Sequence, residues 1–173
     1  MSARPGVITW YLEMTDPRQL REAAAVAGFA VRHVDPPDPE LNRRLYEEVG
    51  GPWQWTDRLG WDRARWRGHV ARPDVATWVG ELGGEPVGYA ELVRSGTDVE
   101  IASFGLRPGF AGRGLGGALL AAATRAAWRG GTRRVWLHTC SLDSPAALPS
   151  YERRGFRRYA EQTGDLDGAS GEA

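Results

Sequence analysis

The sequence predicts one mixed α/β domain in which a mostly antiparallel sheet is flanked by helices, and three observations lead to this expectation. The 173 residues suffice for a single hydrophobic core. Three strand-like segments joined by short turns follow one another between residues 76 and 106. Apolar residues then recur at helical spacing from Leu115 to Ala126, and another strand-like segment begins at Arg134. Such a helical crossover joins parallel strands, so we expect both strand directions in the sheet.

The first half of the chain is predicted to contain two strands and two helices. Leu41, Leu45 and Val49 are spaced by four residues, as on one face of a helix, and Gly50-Gly51-Pro52 ends that helix. A Trp-rich loop at 52–61 separates it from a second, shorter helix. The predicted elements of this half are strands at 7–14 and 29–34, a helix opened by the last residues of the turn at 35–39, and a helix at 62–70.

The second half is predicted to be strand-rich, with two helices. Its predicted elements are strands at 76–82, 87–93 and 98–106, a helix from 115, a strand at 134–141, a helix at 145–154 and a strand at 156–161. From Thr163 onward the residues have little apolar surface to bury, so we expect a mobile end. The predicted organisation is a single domain over 1–164 with a flexible tail at 165–173.

Composition excludes several functional classes. The 22 basic and 22 acidic residues balance, which disfavours a nucleic-acid or membrane-surface protein. All 22 basic residues are Arg, so a Lys nucleophile or Schiff base is excluded. Cys140 is the only cysteine, which rules out an internal disulfide. The sequence has no apolar run of about 20 residues, so we expect a cytoplasmic protein. We also expect no bound metal. A homodimer is compatible with the sequence.

A glycine-rich loop is the most specific feature. Residues 106–117 lie between a predicted strand and an Ala-rich helix, and they contain five glycines. Glycines let the backbone turn tightly and leave its N–H groups bare at the positive end of a helix, which suits a phosphate or pyrophosphate. The alternative is a tight connection with no ligand. A P-loop would need a Lys, which the chain lacks, and a dinucleotide fold would need an acidic residue where Thr132-Arg133-Arg134 stands.

The loop resembles the acetyl-CoA loop of the Gcn5-related N-acetyltransferases. That pattern is Gln or Arg, two residues, Gly, one residue, then Gly or Ala, and here it falls on 111–116 with Ala111 at the first position. A second match lies downstream at 144–156, which resembles the closing helix of the same family. There Ser144 replaces the Asn of the family pattern and Ser150 replaces its Leu. The residues that fit the pattern are Ala147, Tyr151, Glu152, Gly155 and Phe156. The two matches occur in the expected order and separation.

The resemblance implies a fold, an activity and a coenzyme site. It implies the fold of that family and transfer of an acetyl group from acetyl-CoA to an amine in a ternary complex. The backbone of 112–117 is then expected to hold the pyrophosphate, and the backbone of 104–106 to pair with the pantetheine arm. The residues so assigned to acetyl-CoA are Phe104, Gly105, Leu106, Gly112, Arg113, Gly114, Leu115, Gly116, Gly117, Ser144 and Tyr151.

Acetyl transfer to an amine needs a proton acceptor and a donor for the departing thiolate. Glu100 stands where the resemblance places the catalytic glutamate of histone acetyltransferases, so it is the candidate base. His138, a bridging water, or a purely structural role for Glu100 stay open as alternatives. Tyr151 is the candidate donor. It shares a helical face with Ser144 and Ala147, and the resemblance implies that this face looks toward the opening between the two parallel strands where the thioester lies; simple packing is the alternative.

The resemblance implies that the Trp-rich loop walls the acceptor site, because that region usually does so in the family. Trp53 and Trp55 with Asp57 suit an amine that has an apolar body, through cation–π contact and ion pairing, although a role in the core is an equal alternative. We expect the amine to be a small molecule. Two other functions stay open: a noncatalytic acyl-CoA sensor, and acetylation of a peptide or protein.

Overall fold

The computed structural model describes residues 6–164, which form one mixed sheet with helices on both faces. The strands are β1 (Val7–Met14), β2 (Phe29–His33), β3 (Val75–Leu82), β4 (Glu85–Ser95), β5 (Asp98–Leu106), β6 (Arg134–Cys140) and β7 (Arg157–Gly164). The helices are α1 (Pro39–Gly50), α2 (Arg63–Val70), α3 (Leu115–Ala127) and α4 (Ala147–Arg153). Two 3₁₀ turns, Pro17–Gln19 and Gly51–Trp53, complete the regular structure of the described residues.

The sheet runs in the order β2-β3-β4-β5-β6-β1-β7. Its neighbouring strands are antiparallel except for β5 and β6, which are parallel and joined by α3. The predicted mixed, mostly antiparallel sheet is therefore confirmed, as is the parallel pair. The position of β1 between β6 and β7 was not predicted, because nothing in a strand's own pattern identifies a partner so far along the chain.

Both helices of the first half begin at an aspartate. The side chain of Asp38 accepts a hydrogen bond from the backbone N–H of Leu41, and that of Asp62 accepts one from Arg65. Each bond satisfies one of the N–H groups that a helix leaves free at its start. The predicted stripe on α1 is buried against the sheet.

The two faces of the sheet bury different clusters. On one face, residues of α3 and α4 pack against alternate residues of the central strands, including Leu92 and Ile101. On the other face, α1 covers Val79 and Tyr89. Since side chains alternate along a strand, odd-numbered residues of β4 from Tyr89 to Val93 face α1 and α2.

Three predicted boundaries differ from the structure. Strand β7 continues to Gly164, and Thr163 and Gly164 pair with β1, so the prediction that these two residues are mobile was wrong. Backbone hydrogen bonds hold these residues without any apolar burial. Strand β4 extends into both predicted turns. Helix α4 begins at Ala147 and not at 145, because Ser144 opens a turn in which its carbonyl accepts from the N–H of Ala147.

The predicted tail at 165–173 lies outside the described residues. None of the helices within 6–164 has the length and apolar character needed to cross a bilayer.

Candidate active site

A gap opens in the middle of the sheet between β5 and β6. These strands pair only over 98–100 with 134–136, and they continue to Leu106 and Cys140 without further pairing. Glu100 and its partner Trp136 form the last pair before the gap. The unpaired backbone beyond them can hydrogen-bond to an extended ligand lying between the strands.

Glu100 lies at the closed end of this gap, beside His138. The Glu100 side chain is 24% exposed, and its Oε1 lies 3.7 Å from Nε2 of His138. Burial raises the pKa of the Glu100 carboxyl above its ordinary value, and the nearby His138 only partly opposes that shift. Glu100 can therefore accept a proton from a group in the gap more readily than an exposed glutamate.

A β-bulge sets the direction of Glu100. In the β4–β5 ladder Glu91 pairs with Ser103 while the next residue, Leu92, pairs with Ile101, which leaves Ala102 as an extra residue on β5. The bulge changes the alternation, so that Ser103 and Glu100 both face α1 and α2. With regular alternation the two side chains would lie on opposite faces.

Behind Glu100, a buried ion cluster ties the Trp-rich loop to the sheet. Glu91 is fully buried, and both of its oxygens accept hydrogen bonds from Arg58, at 2.9 and 2.8 Å. The Nε2 of His69 lies 3.0 Å from the same carboxylate. Burial alone would raise the pKa of Glu91, but these hydrogen bonds outweigh it and lower the pKa to about 2. Arg58 also lies over the ring of Trp61.

We expect Arg58→Met to destabilise the fold strongly, because it leaves the Glu91 carboxylate buried beside only His69. Breaking one side of a buried ion pair costs about 3–5 kcal/mol of unfolding free energy. The control is Arg32→Met, which breaks the more exposed pair with Glu81 and should cost about 1 kcal/mol or less. Urea unfolding measures both changes. Equal losses in the two variants would refute the proposed importance of the buried pair.

The Glu91 cluster also predicts an acid sensitivity. The pKa of Glu91 in the folded protein is lower than the ordinary glutamate value of about 4.3. The ionised Glu91 carboxylate therefore stabilises the fold above that pH, and this stabilisation is lost as the pH falls towards about 2. Arg58→Met should therefore flatten the fall in unfolding free energy over this acidic range.

Trp55 crosses from the Trp-rich loop to the far side of the gap. Its Nε1 donates a hydrogen bond to Oδ1 of Asp143, at 3.2 Å, and Asp143 lies in the turn after β6. The other oxygen of Asp143 accepts from Thr139 Oγ1 at 2.7 Å and from the backbone N–H of Cys140 at 3.1 Å. Trp55 therefore joins the α1 side of the gap to the β6 side and narrows the approach to it.

The glycine-rich loop connects the end of β5 to the start of α3. Gly114 precedes the first helical residue and has φ 78°, a left-handed conformation that glycine adopts without strain. A cavity of about 540 Å³ adjoins the loop. The residues lining it come from the loop, from α4 and from 23–27: Ala23, Ala24, Ala25, Val26, Ala27, Arg113, Gly114, Gly117, Ser150, Arg153 and Arg154. Bare N–H groups and arginines suit an anionic ligand.

Tyr151 lies on the opposite side of β5 from α1. Its ring packs 5.8 Å from that of Phe104, and the side chain is buried. Burial, and to a lesser degree the Asp143 carboxylate, raises the pKa of the Tyr151 hydroxyl. The phenol is therefore protonated throughout the neutral range and can act as a proton donor. Burial also raises the pKa of the Cys140 thiol, which makes this cysteine a poor nucleophile.

Comparison with known families decides the classification. The family described as the acetyltransferase (GNAT) family matches residues 40–156, which is more than half of the chain. The chain belongs to this family. The resemblance inferred from the two sequence motifs is thus confirmed.

The relatives of this GNAT protein agree with the classification. Mycothiol acetyltransferase of Corynebacterium efficiens is 32% identical over 127 residues, which cover 64% of this chain and 41% of that protein. A Gcn5-related N-acetyltransferase of Sphaerobacter thermophilus has the same fold, with a TM-score of 0.74 and 21% identity over 92% of this chain and 51% of its own. One of Kribbella flavida has a TM-score of 0.66 and 24% identity, over 96% and 60% of the two chains. This GNAT chain spans about half the length of these relatives.

The predicted site residues of this GNAT protein are distributed around the gap. Glu100 lies at its closed end, and Phe104, Gly105 and Leu106 lie along its β5 edge. The predicted loop residues from Gly112 to Gly117 lead into α3 and form its first turn. Ser144 lies in the turn before α4, where its Oγ accepts from the N–H of Ala146. Of the predicted acceptor residues, Trp55 reaches across the gap, Trp53 lies in a 3₁₀ turn, and Asp57 accepts a hydrogen bond from Tyr46.

Sequence reasoning missed several residues of this region. Glu91 and Arg58 carried no local signal, because an isolated strand glutamate and a loop arginine are most often solvated. Asp143 lies between the predicted strand and the recognised motif, and no pattern assigns it a role. Residues 23–27, which line the cavity beside the loop, form no helix or strand that periodicity could reveal.

Proposed function

We propose that the protein is an acetyl-CoA-dependent N-acetyltransferase that transfers the acetyl group directly to a small-molecule amine. The observation that carries this proposal is the gap between β5 and β6, which has a half-buried carboxylate at its closed end and a basic, glycine-lined cavity beyond β5. Family membership and the mycothiol acetyltransferase relative support acetyl transfer. The glycine loop and its arginines fit a pyrophosphate, so the residues present suit coenzyme A.

In the proposed reaction, Glu100 takes a proton from the ammonium group of the acceptor. The neutral amine then forms a bond to the carbonyl carbon of the acetyl thioester as the C–S bond breaks. Tyr151 donates its proton to the departing thiolate, and backbone N–H groups near Leu106 polarise the carbonyl oxygen. The raised pKa of Cys140 supports direct transfer without an acyl-cysteine.

A small acceptor is favoured by the contact between Trp55 and Asp143, because that contact narrows the approach to the gap. Arg58 is the permanently charged cation of the buried cluster behind Glu100. Glu91 neutralises this charge. The acceptor side therefore offers an aromatic wall and a carboxylate to an amine with an apolar body.

The proposed function is tested by incubating the protein with acetyl-CoA and a panel of amines, with free thiol release as the readout. The panel contains arylalkylamines, amino sugars, linear diamines and short peptides. We expect a small amine to accelerate thiol release. Preference for the peptides would show that the acceptor is a peptide or protein, and binding of acetyl-CoA without any acceleration would indicate a noncatalytic sensor.

We expect Tyr151→Phe to lower turnover by roughly 10-fold or more, because the departing thiolate loses its proton donor. The ring is kept, so packing against Phe104 and Phe156 should persist and the unfolding temperature should change little. Because the Tyr151 pKa is raised, the loss should be constant across the neutral range. Unchanged turnover in a folded Tyr151→Phe protein would leave Tyr151 with a packing role alone.

A further inference from the structure

Strands β6, β1 and β7 carry a row of aromatic side chains on the face of the sheet that α1 and α2 cover elsewhere. Helices α1 and α2 pack on β3, β4 and β5. The aromatic row consists of Trp136, His138, Tyr11 and Tyr159. Its ring centroids lie 6.3 Å apart from Trp136 to His138, 5.7 Å from His138 to Tyr11 and 6.2 Å from Tyr11 to Tyr159. His138 and Tyr159 are exposed and the other two are half-buried, so a ligand can contact all four rings.

The aromatic row is continuous with the candidate active site. Nε2 of His138 lies 3.7 Å from Oε1 of Glu100, and Trp136 is the strand partner of Glu100. Tyr11 lies opposite His138 on the next strand. Neighbouring strands are about 4.8 Å apart, so a ring joined to an amine by a short chain reaches this surface while the amine lies at Glu100.

The charges at the far end of the row disfavour a second cation on the ligand. Arg134 pairs with both Glu13 and Asp98, so neither carboxylate is free to bind an ammonium group. The guanidinium of Arg134 also lies over the rings of Trp136 and Tyr159, 5.5 and 4.9 Å from their centroids. A linear diamine would therefore bring its second positive charge towards an arginine.

The row suits an aromatic body better than a sugar. The hydroxyl of Tyr11 already donates a hydrogen bond to Oε1 of Gln162, at 3.2 Å, and a sugar would need partners for several hydroxyls. The rings of Tyr11 and His138 are tilted by 46° to each other, which presents both ring faces and ring edges. Aromatic rings pack favourably in offset and edge-to-face arrangements with such surfaces.

We propose that the aromatic row binds the body of the acceptor and that the acceptor is an arylalkylamine. Its ammonium group lies at Glu100, and its ring packs on His138, Tyr11 and Trp136. This inference rests on the proposed function and names the class of its acceptor.

The test compares 2-phenylethylamine with 2-cyclohexylethylamine, which has the same side chain and ring size but no aromatic ring. We expect wild-type kcat/KM to be about 2- to 10-fold higher for the phenyl compound, the range that aromatic contacts supply beyond the burial of area. Tyr11→Leu should reduce this preference, and Tyr11→Leu combined with Trp136→Leu should abolish it. No preference in wild type, or an unchanged preference in the double variant, overturns the proposal.

Two variants control for effects on the fold. Tyr11→Phe keeps the ring and loses only the exposed bond to Gln162, so it should keep the preference for the phenyl compound. Trp10→Leu removes a ring from the same strand on the opposite face, where Trp10 packs against the core, and it should also keep the preference. Loss of the preference in Trp10→Leu would show that the row does not determine it, and this result would also overturn the proposal.

Failure of the proposed function would be visible separately. If an amino sugar is the best acceptor, the proposed function stands and the aromatic row does not bind the acceptor's body. If no amine is acetylated, the proposed function is wrong, and the row is judged by NMR titration with the same two compounds. Larger shifts of the Trp136 and His138 ring signals with 2-phenylethylamine support the row as a binding surface, and equal shifts or none overturn it.

Sedimentation tests whether a second copy of the chain covers the row instead. We expect wild type and Tyr11→Leu to have the same oligomeric state. A dimer that dissociates in Tyr11→Leu would show that the row is buried between two copies, and this outcome overturns the proposal.

Discussion

Gly114→Asp is expected to abolish measurable binding of CoA and acetyl-CoA. The residue has φ 78° directly before α3, so any side chain there is strained, and a carboxylate would repel the pyrophosphate from the positive end of the helix. Calorimetry should detect no binding, and CoA should no longer raise the unfolding temperature. For wild type, CoA should raise that temperature far more than NAD or ATP does.

Gly131→Asp is the matched control for this variant. Gly131 has φ 77° and no atom within 4 Å of its would-be Cβ, and it lies beyond the other end of α3. It therefore experiences the same backbone strain and gains the same charge, away from the loop. We expect it to bind CoA as wild type does. Normal CoA binding by Gly114→Asp would mean that the glycine loop is not the coenzyme site.

Glu100→Gln is expected to lower turnover by roughly 10²-fold or more at neutral pH, within the usual range for general acid–base catalysis. The amide keeps the shape of the side chain but cannot accept the ammonium proton, so CoA affinity should barely change. The control is Glu81→Gln, on β3 of the same sheet, where the carboxylate pairs with Arg32 at the surface. Near-normal turnover of Glu100→Gln at pH 7 would rule out Glu100 as the base and make His138 the next residue to change.

The pH dependence gives an independent check on Glu100. Since the ionised carboxylate is the active form and burial raises its pKa, wild-type kcat/KM should fall on the acid side at a pH above the ordinary glutamate value. Towards the pKa of the amine, more acceptor is already neutral, so the deficit of Glu100→Gln should shrink. A deficit that is constant over the whole pH range would contradict the role of base.

Much of the fold could be predicted because its signals are local. The four-residue spacing on α1, the short turns between β3, β4 and β5, and the glycines before α3 each fix the conformation of their own segment. The parallel arrangement of β5 and β6 also followed, because α3 connects them. The insertion of β1 between β6 and β7 depends on pairing across most of the chain, and no segment's own pattern encodes it.

The candidate site was predictable where a motif carries the chemistry and not where packing does. The glycine loop and Tyr151 lie in recognisable patterns, and Glu100 followed from its distance to the loop. The bulge at Ala102 turns Glu100 towards the α1 side. It could not be predicted, because no glycine or proline stands at the bulge. The bond between Trp55 and Asp143 joins residues 88 positions apart, and it exists only because the strands separate at the gap.

The most direct test of acetyl transfer is mass spectrometry after incubation with acetyl-CoA carrying a deuterated acetyl group and the amine panel. We predict that the label appears on the nitrogen of a small amine, that CoA is released in equal amount, and that none of the label stays on the protein. Wild type that binds CoA but places no label on any amine or peptide would contradict the account. A deuterated acetyl group on Cys140 would contradict direct transfer.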